Sequence, residues 1–338
     1  MTQQYIHIPK VSVIIPLYQT ERYISETLQS VAAQTFADFE ILVVDDGSSD
    51  RGPKIAANFG DPRLRVISQA NRGLAGARNT GIRESRGNYL AFLDADDLWE
   101  PGKLAAHVAF LDSRPDVGVS FSSSRLIDDD GRALGLLQRP AVSEFDAGYI
   151  FCRNPVGNGS APVIRRQALE DVAFSDPALQ RRLCWFDESF RQSEDIECWT
   201  RIAVCTHWKF GFLDQPLNKY RISSGGLSAN LDRQLETWRR FRAKAAAYAP
   251  ALERDFGDLA EAFQLRYLAR RAIKSGNGPQ ALGLVCQALA CSPGMLFREP
   301  SRTLATLLAA ILVCAMPHWA TARLQSLVLR PRTPAKAG

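Results

Sequence analysis

The amino-acid sequence predicts an α/β domain, with a mostly parallel sheet flanked by helices, followed by an α-helical extension. Short apolar segments of strand length alternate with helix-length segments through the first hundred residues, and the links between them are short. Such alternation is typical of right-handed βαβ units. Beyond residue 226 only helical patterns remain.

The individual elements follow from hydrophobic periodicity and from the turn residues between the apolar segments. Five predicted strands cover residues 11–15, 41–44, 64–67, 89–93 and 117–122. Predicted helices of the α/β part cover residues 21–34, 53–59, 74–85, 103–113 and 193–204. Four more helices are predicted at residues 233–248, 259–274, 279–290 and 302–314.

A serine- and glycine-rich segment at residues 223–226 separates the two kinds of pattern. Such a composition is typical of a flexible loop. We therefore predict one domain over residues 1–225 and a helical extension over residues 226–338, and no internal repeat is evident.

The net charge of +5 is concentrated at the end of the chain. Residues 301–338 contain five basic residues and no acidic residue, which leaves 36 basic and 36 acidic residues in positions 1–300. Equal numbers of basic and acidic residues in positions 1–300 argue against nucleic-acid binding, whereas the basic tail could bind an anionic surface. The tail residues are Arg302, Arg323, Arg330, Arg332 and Lys336.

Seven cysteines without a CxxC pair argue against a disulfide framework or a zinc site. Free thiols are typical of proteins in a reducing compartment. The N-terminus also lacks a charged segment followed by an apolar one, so we expect no signal peptide and a cytoplasmic protein.

Polar residues follow three of the predicted strands, and Asp94-Ala95-Asp96-Asp97 is the densest group. Parallel strands place their carboxyl ends at one edge of the sheet, where ligands of open α/β sheets bind. Clustered carboxylates repel one another, and Mg²⁺ or Mn²⁺ would offset this repulsion. An acidic turn is the alternative. The other two strand ends are Pro16-Leu17-Tyr18 and Asp45-Asp46-Gly47-Ser48, and the second could be only a capped turn.

Four segments together resemble the hallmarks of family 2 glycosyltransferases of the GT-A fold, a Rossmann-like fold found in many bacterial surface-polysaccharide enzymes. The resemblance covers roughly residues 10–225. It implies an inverting glycosyltransferase that uses a nucleotide-diphosphate sugar, most often a UDP-sugar, with Mg²⁺ or Mn²⁺. The segments are Val11-Ser-Val-Ile-Ile-Pro-Leu-Tyr18, Ile41-Leu-Val-Val-Asp-Asp-Gly-Ser-Ser-Asp50, Asn71-Arg-Gly-Leu-Ala-Gly-Ala-Arg-Asn-Thr-Gly-Ile82 and Phe92-Leu-Asp-Ala-Asp-Asp97.

The resemblance also implies roles for residues that match the family's motifs. Asp94 and Asp96 match the metal motif, and Asp96 is the better candidate for direct coordination. Arg72 matches a position that is often basic, although a solvated surface arginine is as good an interpretation. The residues expected around the nucleotide sugar are Pro16, Tyr18, Asp46, Arg78 and Asp94.

Glu194-Asp195 resembles the family's Glu-Asp motif ahead of the helix that carries the general base. The resemblance implies that Asp195 takes the proton of the acceptor hydroxyl, with Glu194 as the alternative. A helix N-terminus also favours acidic residues without any catalytic role. Arg221, in a segment that resembles one closing over the diphosphate, is expected to bind the diphosphate or to be a surface arginine.

The apolar segment 304–316 is too short to span a bilayer, which takes about 20 residues. It could pack onto the protein, or it could lie in the membrane interface, helped by the flanking basic residues. Family members often use polyprenyl-linked acceptors at the inner face of the plasma membrane, so the resemblance makes peripheral attachment through residues 301–338 plausible.

Three other functions are less compatible with the sequence. A sugar-nucleotide pyrophosphorylase would carry a glycine-rich basic loop after the first strand, where this chain has Tyr18-Gln19-Thr20-Glu21. A dinucleotide-dependent oxidoreductase would need GxGxxG there. A degenerate, non-catalytic binding module should have lost the metal carboxylates or the base, and all of them are present.

Overall fold

The computed structural model describes residues 7–222 and 230–315. The chain forms two compact units: Met1–Phe145 with Pro155–Ile222, and Asp146–Asn154 with Ser223–Gly338. The predicted boundary at residues 225 and 226 lies outside the described residues and stays a prediction.

The strands are all in the first unit. They are β1 (Val11–Leu17), β2 (Phe39–Asp45), β3 (Leu64–Ser68), β4 (Tyr89–Phe92), β5 (Leu98–Trp99), β6 (Val117–Ile127), β7 (Ala133–Gln138), β8 (Pro162–Arg165), β9 (Phe174–Asp176), β10 (Arg182–Cys184) and β11 (Lys209–Arg221). Within the described residues one sheet has the order β3-β2-β1-β4-β8-β6-β11-β5, with β7 on β6, and β9 and β10 pair separately.

The predicted parallel arrangement is confirmed for β3, β2, β1 and β4. The other half of the sheet is mixed. Strand β8 runs antiparallel to both β4 and β6, whereas β11 runs parallel to β6. Strand β8 comes from the irregular region after residue 125, where periodicity predicted no strand. The sequence therefore did not predict that this half of the sheet is mixed.

The helices are α1 (Ile24–Ala32), α2 (Gly52–Ala57), α3 (Gly73–Glu84), α4 (Lys103–Ser113), α5 (Ala147–Arg153), α6 (Arg166–Glu170), α7 (Glu194–Cys205), α8 (Leu231–Tyr248), α9 (Pro250–Lys274), α10 (Gly278–Cys291), α11 (Met295–Arg298) and α12 (Pro300–Ala315). A 3₁₀ turn covers Pro177–Leu179. Every predicted helix is present, and α9 begins at Pro250, since proline is favourable in the first helical turn.

Both faces of β1 are buried, as expected for a central parallel strand. Val13, Ile15 and Leu17 belong to the same core cluster as Leu28 of α1 and Leu104 of α4. Helix α3 lies close to the sheet, because a Cβ atom on Gly81 would overlap the Ile14 side chain. This close approach brings the polar side chains of α3 near the strand ends.

The second unit is helical and has its own core, formed mainly by α9, α10 and α12. Leu265, Leu268 and Val285 are almost completely buried in this core. No helix within residues 7–222 and 230–315 is long and apolar enough to cross a membrane.

Candidate active site

The ends of β1, β2 and β4 lie side by side. The register pairs Leu17 with Asp45 and Ile14 with Phe92, in parallel on both sides of β1. Tyr18 therefore follows β1 next to the acidic segments of its neighbours, and its ring is 51% exposed. Pro16 is buried inside β1. The ring of Pro16 thus packs within the sheet, and its expected place beside the nucleotide stays a prediction.

Asp46 holds the N-terminus of α3. Its carboxylate accepts hydrogen bonds from the backbone N–H groups of Arg72 and Gly73, each at 2.8 Å, and from Gln69 Nε2 at 2.7 Å. The side chain is buried. An acid here satisfies two N–H groups that have no partner within the helix. Asp46 therefore caps α3, and its expected contact with a base or ribose stays a prediction.

Arg78, on α3, connects two of the predicted motifs. Its Nη1 donates to Glu194 at 2.8 Å, and its Nη2 donates to Asp94 at 3.1 Å. The guanidinium lies 5.5 Å from the centre of the Phe186 ring and is only 2% exposed. Burial alone would lower the pKa of Arg78, but the charges of Asp94 and Glu194 outweigh burial and raise it. Arg78 therefore forms a buried bridge between the metal motif and the base motif. Its expected place beside a nucleotide stays a prediction.

Glu194 and Asp195 differ in their surroundings, although they are neighbours at the start of α7. Glu194 is buried, and burial raises its pKa to about 7 against the lowering effect of Arg78. Asp195 is partly exposed. Because Glu194 is buried and Asp195 is partly exposed, Asp195 is the more accessible of the two carboxylates.

The three carboxylates after β4 also differ. The Asp94 side chain is 25% exposed. Burial, and then the charge of Asp94, raise the pKa of Asp96 to about 6. Asp97 is buried and accepts from Ser160 Oγ at 2.6 Å and from the backbone N–H of Arg221 at 2.8 Å. Burial raises the pKa of Asp97 well above its ordinary value. Asp97 is therefore an internal anchor, whereas Asp94 and Asp96 remain accessible for binding.

Arg221 is an internal brace. Its side chain is fully buried, pairs with Glu26, and donates to the backbone carbonyls of Asp96, Asp128 and Asp129 at 2.7, 2.9 and 3.0 Å. Arg221 is therefore not a surface arginine, and the expectation that it binds a diphosphate stays a prediction. Arg72 is likewise no solvated surface arginine, since it forms a two-pronged ion pair with Glu188.

Sequence reasoning missed Gly159 and Glu188. A Cβ atom on Gly159 would overlap Arg78 Nη2 and lie 2.8 Å from Asp94 Oδ2. Glu188 accepts from Asn79 Nδ2 at 3.0 Å as well as from Arg72. The Asn-Gly pair at residues 158 and 159 was a visible turn signal. Nothing in the local pattern indicated that the turn contacts the Arg78–Asp94 pair.

A divalent cation would find two oxygen donors here, Asp94 and Asp96. Burial raises the pKa of Asp96 and the charge of Asp94 raises it further, so a cation at this point would stabilise both carboxylates. Within residues 7–222 and 230–315, no group of three or more His, Cys, Asp or Glu side chains is arranged to hold a metal. The two carboxylates therefore fit Mg²⁺ or Mn²⁺ if a substrate supplies further oxygens, as is usual for Mg²⁺.

Known proteins resemble this chain in sequence and in fold. Residues 12–173 match the family model "Glycosyl transferase family 2". An uncharacterized glycosyltransferase of Rickettsia felis is 34% identical over 226 residues, which are 67% of this chain and 35% of that protein. The chain thus spans about a third of the length of this relative.

Two further proteins resemble the chain over more of their own length. The Escherichia coli UDP-Glc:alpha-D-GlcNAc-diphosphoundecaprenol beta-1,3-glucosyltransferase WfgD is 27% identical, over 67% of this chain and 82% of that protein. The Pyrobaculum calidifontis mannosyltransferase PcManGT, solved with GDP-Man and Mn²⁺, has a TM-score of 0.58 at 23% identity, covering 92% of this chain and 87% of that one. This likeness shows the GT-A fold. Residues 12–173 of the chain therefore belong to glycosyl transferase family 2.

Proposed function

We propose that this protein is an inverting glycosyltransferase that moves a sugar from a nucleotide-diphosphate sugar, a UDP-sugar in particular, to a hydroxyl of a glycan or polyprenyl-linked acceptor. The observation that carries the proposal is the Arg78 bridge, which holds Asp94 of the metal motif and Glu194 of the base motif on one guanidinium. A donor at the strand ends would then lie beside a carboxylate that can activate an acceptor.

In the proposed reaction, Asp195 accepts the proton of the acceptor hydroxyl as its oxygen attacks the anomeric carbon. A new C–O bond forms while the bond from that carbon to the diphosphate breaks, and the nucleoside diphosphate leaves with the bonding electrons. One displacement inverts the anomeric centre. Arg78 keeps α7 in place, so that Asp195 faces the acceptor side.

Asp94 and Asp96 would hold Mg²⁺ or Mn²⁺ together with the donor's phosphate oxygens. When bound, the cation would supply Lewis-acid stabilisation of the leaving diphosphate. PcManGT, solved with Mn²⁺, supports this proposal. Asp97 and Arg221 would keep the turn that carries Asp96 in place. Asp97 accepts from the backbone N–H of Arg221, and Arg221 donates to the backbone carbonyl of Asp96.

The name of WfgD supports the proposed donor and acceptor classes, since that enzyme uses UDP-Glc and a diphosphoundecaprenol-linked sugar. We extend both to this chain, with a role in cell-surface polysaccharide biosynthesis at the inner face of the plasma membrane. The family assignment disfavours the pyrophosphorylase alternative. The degenerate binding module is distinguished by experiment.

The test is calorimetric titration of the purified chain with UDP-, GDP- and dTDP-sugars, with and without Mn²⁺, followed by transfer assays. We expect metal-dependent binding of one donor class. Asp96→Ala should abolish this binding. Asp195→Asn should bind donor normally and lose transfer by about 10²–10⁴-fold, the usual contribution of a general base.

Asp214→Asn is the matched control, since this exposed carboxylate pairs only with Arg139 in the described contacts. Metal-dependent binding that survives Asp96→Ala would remove the metal assignment. Turnover that survives Asp195→Asn but not Glu194→Gln would move the base to Glu194. Donor binding without transfer to any glycan or lipid-linked acceptor would favour the binding module.

A further inference from the structure

The last described helix, α12, exposes large apolar side chains and buries polar ones. Leu304, Leu308, Ile311 and Leu312 are 49, 61, 45 and 62% exposed, and their spacing places them on one face of the helix. The opposite face buries Thr303 and Thr306, whose hydroxyls donate to the carbonyls of Glu299 and Arg302 at 2.8 and 2.7 Å. A helix whose outer face meets only water normally shows the reverse pattern.

An aromatic ring precedes this face. Phe297, on the short helix α11, is 87% exposed. Exposed large apolar side chains that stand singly are ordinary, but a grouped set marks a surface that is covered in use. Phe297 and the four outer residues of α12 are called the apolar face below.

The charge around the apolar face is positive. Arg298 and Arg302 are exposed and are neighbours in sequence of residues of this face. Glu299, the one acidic residue of segment 292–315, forms ion pairs with Arg153, Arg266 and Arg302, so a single carboxylate opposes several arginines and the net charge is positive. Aliphatic and aromatic side chains together with an excess of arginines are typical of segments that lie in the interface of anionic membranes.

We infer that the apolar face docks this protein on an anionic lipid bilayer, with its side chains among the acyl chains and Arg298 and Arg302 at the headgroups. A second copy of the chain fits less well. A symmetric pairing would use the same positively charged patch on both copies, with Glu299 as the one acidic residue of segment 292–315. Residues 316–338 fit less well too, because they carry four basic residues and no acid.

The inference builds on the proposed use of a lipid-linked acceptor, but its test needs neither donor nor acceptor, so the two can fail separately. The experiment is cosedimentation of the full chain with vesicles of phosphatidylcholine alone or with 30% phosphatidylglycerol. We expect binding to the anionic vesicles that weakens with salt. The variant Leu308→Ser/Leu312→Ser should lower partitioning about tenfold or more, since it withdraws several apolar carbons from the lipid.

The matched control is Leu136→Ser, which alters a leucine of similar exposure, 54%, on β7 of the first unit. Arg298→Gln/Arg302→Gln should reduce binding to anionic vesicles only. Asp195→Asn should bind vesicles as the parent chain does. Unchanged partitioning of the double leucine variant, or equal binding to both kinds of vesicle, would overturn the inference. So would a dimer seen by analytical ultracentrifugation that the leucine substitutions abolish.

Discussion

A buried histidine should make the first unit sensitive to mild acid. His107, on α4, is completely buried, and its Nδ1 and Nε2 atoms lie 2.7 and 3.2 Å from the hydroxyls of Ser120 and Ser122 on β6. Lys103, one turn earlier, is also fully buried and donates to the carbonyl of Ala161 at 2.8 Å. Burial, and then the charge of Lys103, lower the pKa of His107 well below its ordinary value.

The direction of the effect follows from proton binding. Between the ordinary pKa of about 6.5 and the lower value in the folded chain, the unfolded chain holds one more proton than the folded chain. The contribution of His107 to the stability of the folded chain is therefore complete well above pH 6.5. It falls as the pH decreases, by up to about 1.4 kcal/mol per pH unit. Integrated from pH 7.5 to 5.5, His107 alone removes about 1.4 kcal/mol, a substantial part of a typical stability of about 5–15 kcal/mol.

The variant His107→Gln tests this value, because glutamine can still bond both serines but does not titrate. Hydrogen exchange of β6 peptides against urea, at pH 7.5, 6.5 and 5.5, reports the stability of the first unit by itself. The stability loss between pH 7.5 and 5.5 should be about 1.4 kcal/mol smaller in the variant. Any general destabilisation by glutamine is the same at each pH and cancels. His207→Gln, which removes an exposed imidazole, is the control. A loss in His107→Gln equal to that of the parent chain would refute the reasoning.

Two further predictions concern the candidate active site. Gly159→Ala should weaken donor binding at least about tenfold in calorimetric titration, because its Cβ would displace Arg78 or Asp94; Gly102→Ala, at a site with open space, should leave binding unchanged. Asp46→Ala should lower the free energy of unfolding by about 2 kcal/mol through loss of the α3 cap. A loss of donor affinity at unchanged stability would instead show that Asp46 contacts the donor.

Much of the fold could be predicted because strand and helix periodicities are local. The apolar segments that became β1, β2 and β4 are buried on both faces, and parallel pairing then brings their polar ends together. Strand β8 was not predictable in the same way. It is four residues long and lies in an irregular region, so only its partners β4 and β6 define it.

The roles of individual charged residues were harder to predict, because they depend on partners far along the chain. Arg221 donates to the carbonyl of Asp96, 125 positions away, and Arg78 pairs with Glu194, 116 positions away. Asp-Asp-Gly-Ser is equally compatible with a ligand site and with a cap. The hydrogen bonds of Asp46 show the cap, which the sequence alone did not distinguish from a ligand site.

The charges at the site indicate what kind of donor the predicted ligand residues can bind. Five carboxylates lie at or beside the site, namely Asp94, Asp96, Asp97, Glu194 and Asp195, and the buried cations described among them are Arg78 and Arg221. Both arginines are engaged as counterions of carboxylates. Burial raises the pKa values of Asp96 and Glu194, to about 6 and about 7, and the charges of neighbouring carboxylates add to this effect. A site with surplus negative charge cannot receive an anionic donor unless positive charge arrives with it. The residues of this chain therefore argue for a donor that binds together with a divalent cation.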